Sequence, residues 1–192
     1  MQMKNNGIAR LTILLAIIAA SLLAAGCSTA PKIKDQAKFV NDSAAATMWF
    51  EHHVPGLSQQ INNSAAYIIY PSVGQWGILI GGGQFGRGML NLPNDRQIGW
   101  AAINTASIGL QAGVHGFKML VVFQDEATLY RFVNGRLSGS MSGVLVVGRS
   151  GGSAKVPFKN GVAIYQGAST GLMAGINIGL DYMRYQPLTD NW

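Results

Sequence analysis

The chain has 192 residues, with 14 lysines and arginines against 8 aspartates and glutamates, a formal charge of +6 at neutral pH. Hydrophobic residues make up 48%, and the 25 glycines follow no collagen-like period, which excludes a fibrous or disordered chain and points to a glycine-rich β protein. A single cysteine excludes a disulfide framework and a cysteine metal site.

Residues 1–26 read as a secretory signal peptide and take no part in fold reasoning. A basic start (Lys4, Arg10) precedes an apolar stretch from Leu11 to Ala20, and small residues lead to the cysteine in Leu22-Leu23-Ala24-Ala25-Gly26-Cys27. Small residues followed by cysteine resemble a bacterial lipobox, with the leucine one place further out than usual. That resemblance implies cleavage before Cys27, acylation of its thiol and a further acyl chain on the new amino terminus. Two or more chains anchor stably, at about 0.8 kcal/mol per buried methylene. The remaining 166 residues carry a charge of +4 once Lys4 and Arg10 are lost, and they suffice for one compact domain. A mildly basic, exported chain suits an anionic lipid surface and disfavours nucleic acid. No second apolar run is long enough to span a bilayer as a helix.

Residues 27–35 form a lipidated tether, and 36–192 a single domain. Ser28 stands where an aspartate would signal inner-membrane retention, so the expected location is the outer membrane, facing the periplasm. Ala37, Val40, Ala44 and Met48 fall at helical spacing and predict a helix over Asp35 to His52, stopped by Val54-Pro55-Gly56. A shorter helix follows over Leu57 to Asn63. From Ala65 the period changes, and Tyr67-Ile68-Ile69-Tyr70 before Pro71 reads as a buried strand. Ser107 to His115 alternates cleanly, with Ile108, Leu110, Ala112 and Val114 on one face. Phe117 to Phe123 predicts a central strand. Asp125 caps a helix whose Leu129, Phe132 and Val133 pack inward and which ends near Gly135. Val144 to Val147, Val162 to Tyr165 and the alternating Thr170 to Tyr182 predict further strands. The pattern Ser-x-Gly-Leu-x-Ala-Gly at Ser107 recurs at Ser169, which suggests a curved sheet or small barrel.

Two motif matches fail on context. Gly81-Gly82-Gly83-Gln84-Phe85-Gly86 fits GxGxxG, but strand-like residues follow where a dinucleotide fold needs a helix and then an acidic residue. Gly148-Arg149-Ser150-Gly151-Gly152 fits GxSxG, but a loop follows and no histidine lies after Ser150. His52 and His53 are adjacent and diverge on a helix, and His115 stands alone on a strand. No acid/base pair declares itself, so no enzyme activity and no cofactor are expected.

The candidate lipid-binding cations are Arg87, Lys118, Arg131, Arg136, Arg149, Lys155 and Lys159, dispersed through the domain. Four of them converging on an anionic bilayer would contribute about 1 kcal/mol each.

Five segments in order resemble the SYLF family, the Ysc84-like lipid-binding domain. They are Ala65-Ala66-Tyr67-Ile68-Ile69-Tyr70-Pro71, Gly82-Gly83-Gln84-Phe85-Gly86-Arg87-Gly88, Ala106-Ser107-Ile108-Gly109-Leu110-Gln111-Ala112-Gly113, Val147-Gly148-Arg149, and Tyr165-x4-Thr170-Gly171-Leu172-x-Ala174-Gly175. Together they cover roughly residues 54 to 184. His115-Gly116-Phe117-Lys118 departs from the polar, often acidic turn usual there. The resemblance implies phospholipid binding and no established catalytic site. The expected fold is α+β: N-terminal helices packed on a curved, mostly antiparallel, glycine-rich sheet or partial barrel with one inserted helix. The expected function is a lipid-anchored envelope lipoprotein binding anionic phospholipid. The alternative is a structural module that docks an envelope protein partner and recognises no lipid beyond its anchor.

Overall fold

The structure, a computed structural model, describes residues 29–78, 81–108, 113–137, 140–141, 144–147, 156–168, 178–179 and 183–188. Two helices come first, α1 (Ile33–His53) and α2 (Leu57–Asn62). Four long strands follow: β1 (Ala66–Ile78), β2 (Gly81–Asn91), β3 (Gln97–Ile108) and β4 (Gly113–Phe123). After α3 (Glu126–Val133) come β5 (Ser140–Met141), β6 (Val144–Val147), β7 (Val162–Ala168), β8 (Ile178–Gly179) and β9 (Met183–Pro187).

The main sheet has the order β6-β7-β4-β1-β2-β3-β9. Neighbours from β7 to β9 are antiparallel, β6 runs parallel to β7, and β5 pairs with β8 separately. Because β6 and β9 are edges, the sheet is not closed into a barrel. This is the expected α+β class, with N-terminal helices, a mostly antiparallel curved sheet and one inserted helix.

The central strands are buried on both faces, which is why they read as continuous apolar runs rather than alternating ones. One face of the sheet presents Tyr67, Ile69, Leu120, Val122 and Tyr165 to Phe50, Val54, Leu57 and Ile61 of the α1–α2 layer. The other presents Ala66, Ile68, Tyr70, Met119, Val121, Phe123 and Ile164 to Phe132 of α3. Among the described residues, both cores draw on positions from Ala30 to Tyr185. The buried Tyr165 hydroxyl ties the layers together. It donates to Gln60 Oε1 of α2 at 2.5 Å and accepts the Val156 N–H at 3.0 Å.

Helix α1 does not bury the stripe expected of it. Val40 and Met48 are 38% and 68% exposed, and Ala37 and Ala44 also face solvent. The packed stripe is Phe39, Ser43, Ala46 and Phe50. Both sets have helical period, so period alone does not select between them; the aromatic set removes more apolar area from water. The helix stops where Val54 turns extended, and Gly56 takes φ 76°, a left-handed conformation that costs glycine little. Asp125 caps α3 as expected, its Oδ1 accepting the Thr128 N–H at 2.7 Å, which holds that carboxyl below the usual range. Gly135 ends the segment at φ 64°.

Two strand expectations are corrected. β1 does not end before Pro71 but runs on to Ile78, with a bulge between Ile69 and Ser72. Proline lacks a ladder N–H, and a bulge is where a strand tolerates it. Ser107 to His115 is not one strand. Ser107 pairs with Gly82 of β2, whereas Gly113 pairs with Gly77 of β1, so the segment divides between β3 and β4. Residues 109–112, between the two halves, lie outside the described ones, as do the GxSxG segment, the second copy of the repeat and most of Thr170 to Tyr182. The GxGxxG glycines belong to β2, and no helix follows them.

Candidate functional site

Among the described residues, α1 crosses the sheet from β9 towards β7. Its start is fixed where the Ala30 N–H donates to Gln186 Oε1 at 3.3 Å, and Phe39 meets Trp100 of β3 edge-on. Near its end Trp49 lies on Gly167 of β7, where a Cβ would overlap the indole ring. His53, one turn further on, stacks on the Trp49 ring with ring centroids 4.1 Å apart. Its Nδ1 lies 2.7 Å from the Trp49 carbonyl oxygen. Lys118, the cross-strand partner of Gly167, places its Nζ 5.4 Å from the Trp49 ring centroid, a cation–π arrangement.

Beyond α1 the same face of the sheet carries exposed residues among the described ones, and the register sets out which. The first row holds Lys118 of β4, opposite the Pro71–Ser72 bulge, then Ser72 of β1, Arg87 of β2 and Ala102 of β3. The second row holds Gly116, Gly74, Phe85 and Asn104. Ser72, Arg87, Asn104 and Gly116 are exposed, and Phe85 is 58% exposed. Gly74 lets the Phe85 ring lie across its neighbouring strand, since a Cβ there would overlap the ring. Among the described residues, nothing lies within 4 Å of a Cβ built on Gly116. With strands about 4.8 Å apart, the Lys118 and Arg87 backbones stand about 10 Å apart across Ser72. The row thus sets a hydroxyl residue between two cationic ones, with an exposed aromatic residue in the next row.

The seven candidate cations therefore do not form one face. Lys118 and Arg87 share the row just described. Arg131 is on α3, against the opposite face of the sheet, where its guanidinium donates to Thr128 Oγ1 at 3.2 Å and to the Asn160 carbonyl at 3.5 Å. Lys159 lies in the tight turn leading into β7, and Arg136 follows α3, so both cluster with Arg131 rather than with Arg87. Arg149, Lys155 and the lipid-attachment candidate Cys27 lie outside the described residues. Sequence reasoning missed Ser72, Phe85, Asn104 and Trp49 as members of the site. The signal that finds them is cross-strand register, which composition and periodicity do not supply.

Among the described residues, no group of three histidine, cysteine or acidic side chains is placed to hold a metal ion. No helix there is long and apolar enough to cross a membrane. No family model and no curated protein matches the chain.

Proposed function

We propose that this chain is a lipid-anchored protein of the bacterial envelope whose domain binds anionic phospholipid at a membrane surface. The observation that carries the reading is the row Lys118–Ser72–Arg87 with exposed Phe85 beside it, on a face that α1 leaves uncovered. Two cations about 10 Å apart contribute roughly 1 kcal/mol each near an anionic bilayer, too little to hold a protein alone. Added to an acyl anchor at Cys27, they decide which lipid the tethered domain rests on. The SYLF-like segments run through this same region: Ala65 to Pro71 opens β1, and Gly82 to Gly88 lies in β2. In this reading the anchor faces the periplasm from the outer membrane, and the domain performs recognition, not catalysis.

The test is co-sedimentation of residues 28–192 with phosphatidylglycerol-containing and pure phosphatidylcholine vesicles at low and high salt. The expected result is binding to the anionic vesicles that salt reverses. Equal binding to both vesicle types would remove the electrostatic component. Binding to neither would leave Cys27 as the membrane contact and turn the domain's role towards a protein partner.

A further inference from the structure

Helix α1 carries a second apolar stripe that its own domain does not use. Ile33, Ala37, Val40, Ala44 and Met48 recur at intervals of three and four residues, the spacing that sets them along one side of a helix. All five are exposed, and Ile33 reaches 83%. The packed stripe of Phe39, Ser43, Ala46 and Phe50 points to the sheet from another side of the same helix. Single apolar residues on a surface are ordinary, but a continuous line about 22 Å long is not.

We infer that this outer stripe is the interface of a two-fold dimer, in which α1 of a second copy packs antiparallel across it. The inference goes beyond the lipid reading and does not depend on it. Three observations select a second copy as the occupant. The first is the order of sizes. Read in either direction from Ile33 to Met48, the stripe runs large, small, branched, small, large. A two-fold axis beside Val40 sets Ala37 against Ala44 of the second copy and Ile33 against its Met48. The small residues let the two backbones approach, and the long ones close both ends.

The second is charge. Lys38 and Asp42 pair with each other within the helix, 2.6 Å apart. Of the others, Lys32 and Lys34 stand at the start of α1 and Glu51 in its last turn, in line with Ile33 about five turns on. Each of these three has the sign that the helix dipole disfavours at its end. Asp35 has the favoured sign, but it lies on the opposite side of the helix from the stripe. An antiparallel copy reverses the dipole alongside and brings the Glu51 end of one helix to the Lys34 end of the other. The third observation weighs against a bilayer on this stripe. Residues 32–53 hold three lysines and three carboxylates, whereas a helix that lies on an anionic membrane has a polar face rich in lysine and arginine. One helix pair makes a small interface, so the association is weak and depends on concentration.

The test is disulfide cross-linking of the full chain in a Cys27→Ser background, which holds no native cysteine, expressed in bacteria. Mild oxidation of Val40→Cys gives a covalent dimer, because the axis passes beside it. Ile33→Cys alone does not, but co-expressed with a separately tagged Met48→Cys chain it gives the mixed dimer. Tyr130→Cys, exposed on α3 at the other face of the sheet, controls for chance collision. Each cysteine replaces an exposed residue, so the fold is not at stake. Glu51→Lys lowers the Val40→Cys dimer roughly threefold, and Lys34→Glu in the same chain restores it. Cross-linking of Ile33→Cys to itself would overturn the antiparallel arrangement. No dimer from Val40→Cys, or as much from Tyr130→Cys, would overturn the interface. A Val40→Cys thiol that stays reduced and, in isolated membranes, is shielded from a water-soluble maleimide would put a bilayer on the stripe and overturn it too.

Discussion

Charge removal at the site offers the sharpest division between the cations that were equivalent in sequence. Replacing Arg87 and Lys118 with glutamine deletes both charges of the row while keeping amide-tipped stems of similar reach. Each cation near an anionic surface is worth about 1 kcal/mol, so the double variant loses about 2 kcal/mol. That corresponds to roughly thirtyfold weaker partitioning onto phosphatidylglycerol-containing vesicles. Lys118 also loses its contact with the Trp49 ring, worth about 0.5–1 kcal/mol at an exposed site, so a small fall in thermal stability accompanies it. The comparison variant is Arg131→Gln with Arg136→Gln, which removes the same charge from the region of α3. It leaves partitioning within a factor of a few, because those residues lie against the other face. Co-sedimentation at low salt reads both variants, and circular dichroism confirms that each is folded. Equal losses from the two double variants would refute the reasoning: binding would then follow net charge and not the row.

Three other outcomes follow from the structure and a fourth from the proposed lipid anchor. Tyr70 is fully buried and its hydroxyl has no hydrogen-bond partner among the described residues, so Tyr70→Phe leaves stability unchanged or raises it by about 1 kcal/mol; a loss of that size in urea unfolding would show that the hydroxyl is satisfied. Gly88→Ala places a Cβ 2.8 Å from Ile68 Cγ2 and from the Tyr70 ring, both in the closed core, and costs about 1–3 kcal/mol; thermal melts should fall by about 2–4 °C for each kcal/mol lost. Burial raises the Tyr70 hydroxyl above its ordinary pKa of 10.0, and Tyr67 and Tyr165 move the same way. Below pH ~10 these groups are protonated folded or unfolded and contribute no pH dependence; above it the unfolded chain ionises first, so stability falls as pH climbs. Tyr70 alone adds a slope of about 1.4 kcal/mol per pH unit, and Tyr70→Phe should flatten the alkaline limb of an unfolding series by that amount. Cys27→Ser should abolish incorporation of labelled palmitate into the expressed full-length chain; retained label would place the acyl group elsewhere.

Local chemistry made much of this fold readable, and long-range pairing hid the rest. The cap at Asp125, the glycine at Gly135 and the break at Val54-Pro55-Gly56 each act within a few residues, and each stands where the sequence puts it. Phe117 to Phe123 is legible as central because a strand flanked on both sides and covered on both faces has no polar alternation to show. The face that α1 buries was not legible. Two stripes of helical period compete on that helix, and only the sheet beneath, with Trp100 waiting for Phe39, selects one.

The candidate site turns on a single residue that strand periodicity cannot count. Tyr67 and Ile69 face α1, and an unbroken alternation would carry Pro71, Val73 and Gln75 to the same side. The bulge between Ile69 and Ser72 inserts one residue and reverses the faces, so Val73 joins Tyr70 in the α3 core. A one-residue slip moves every side chain to the other face. That slip sets Ser72 between Lys118 and Arg87 and puts Gly74 beneath the Phe85 ring. Pro71 marks the bulge, because proline has no ladder N–H to lose there. Read as a stop signal, it ends β1 at Tyr70 and the site disappears; read as a bulge, it is what assembles the site.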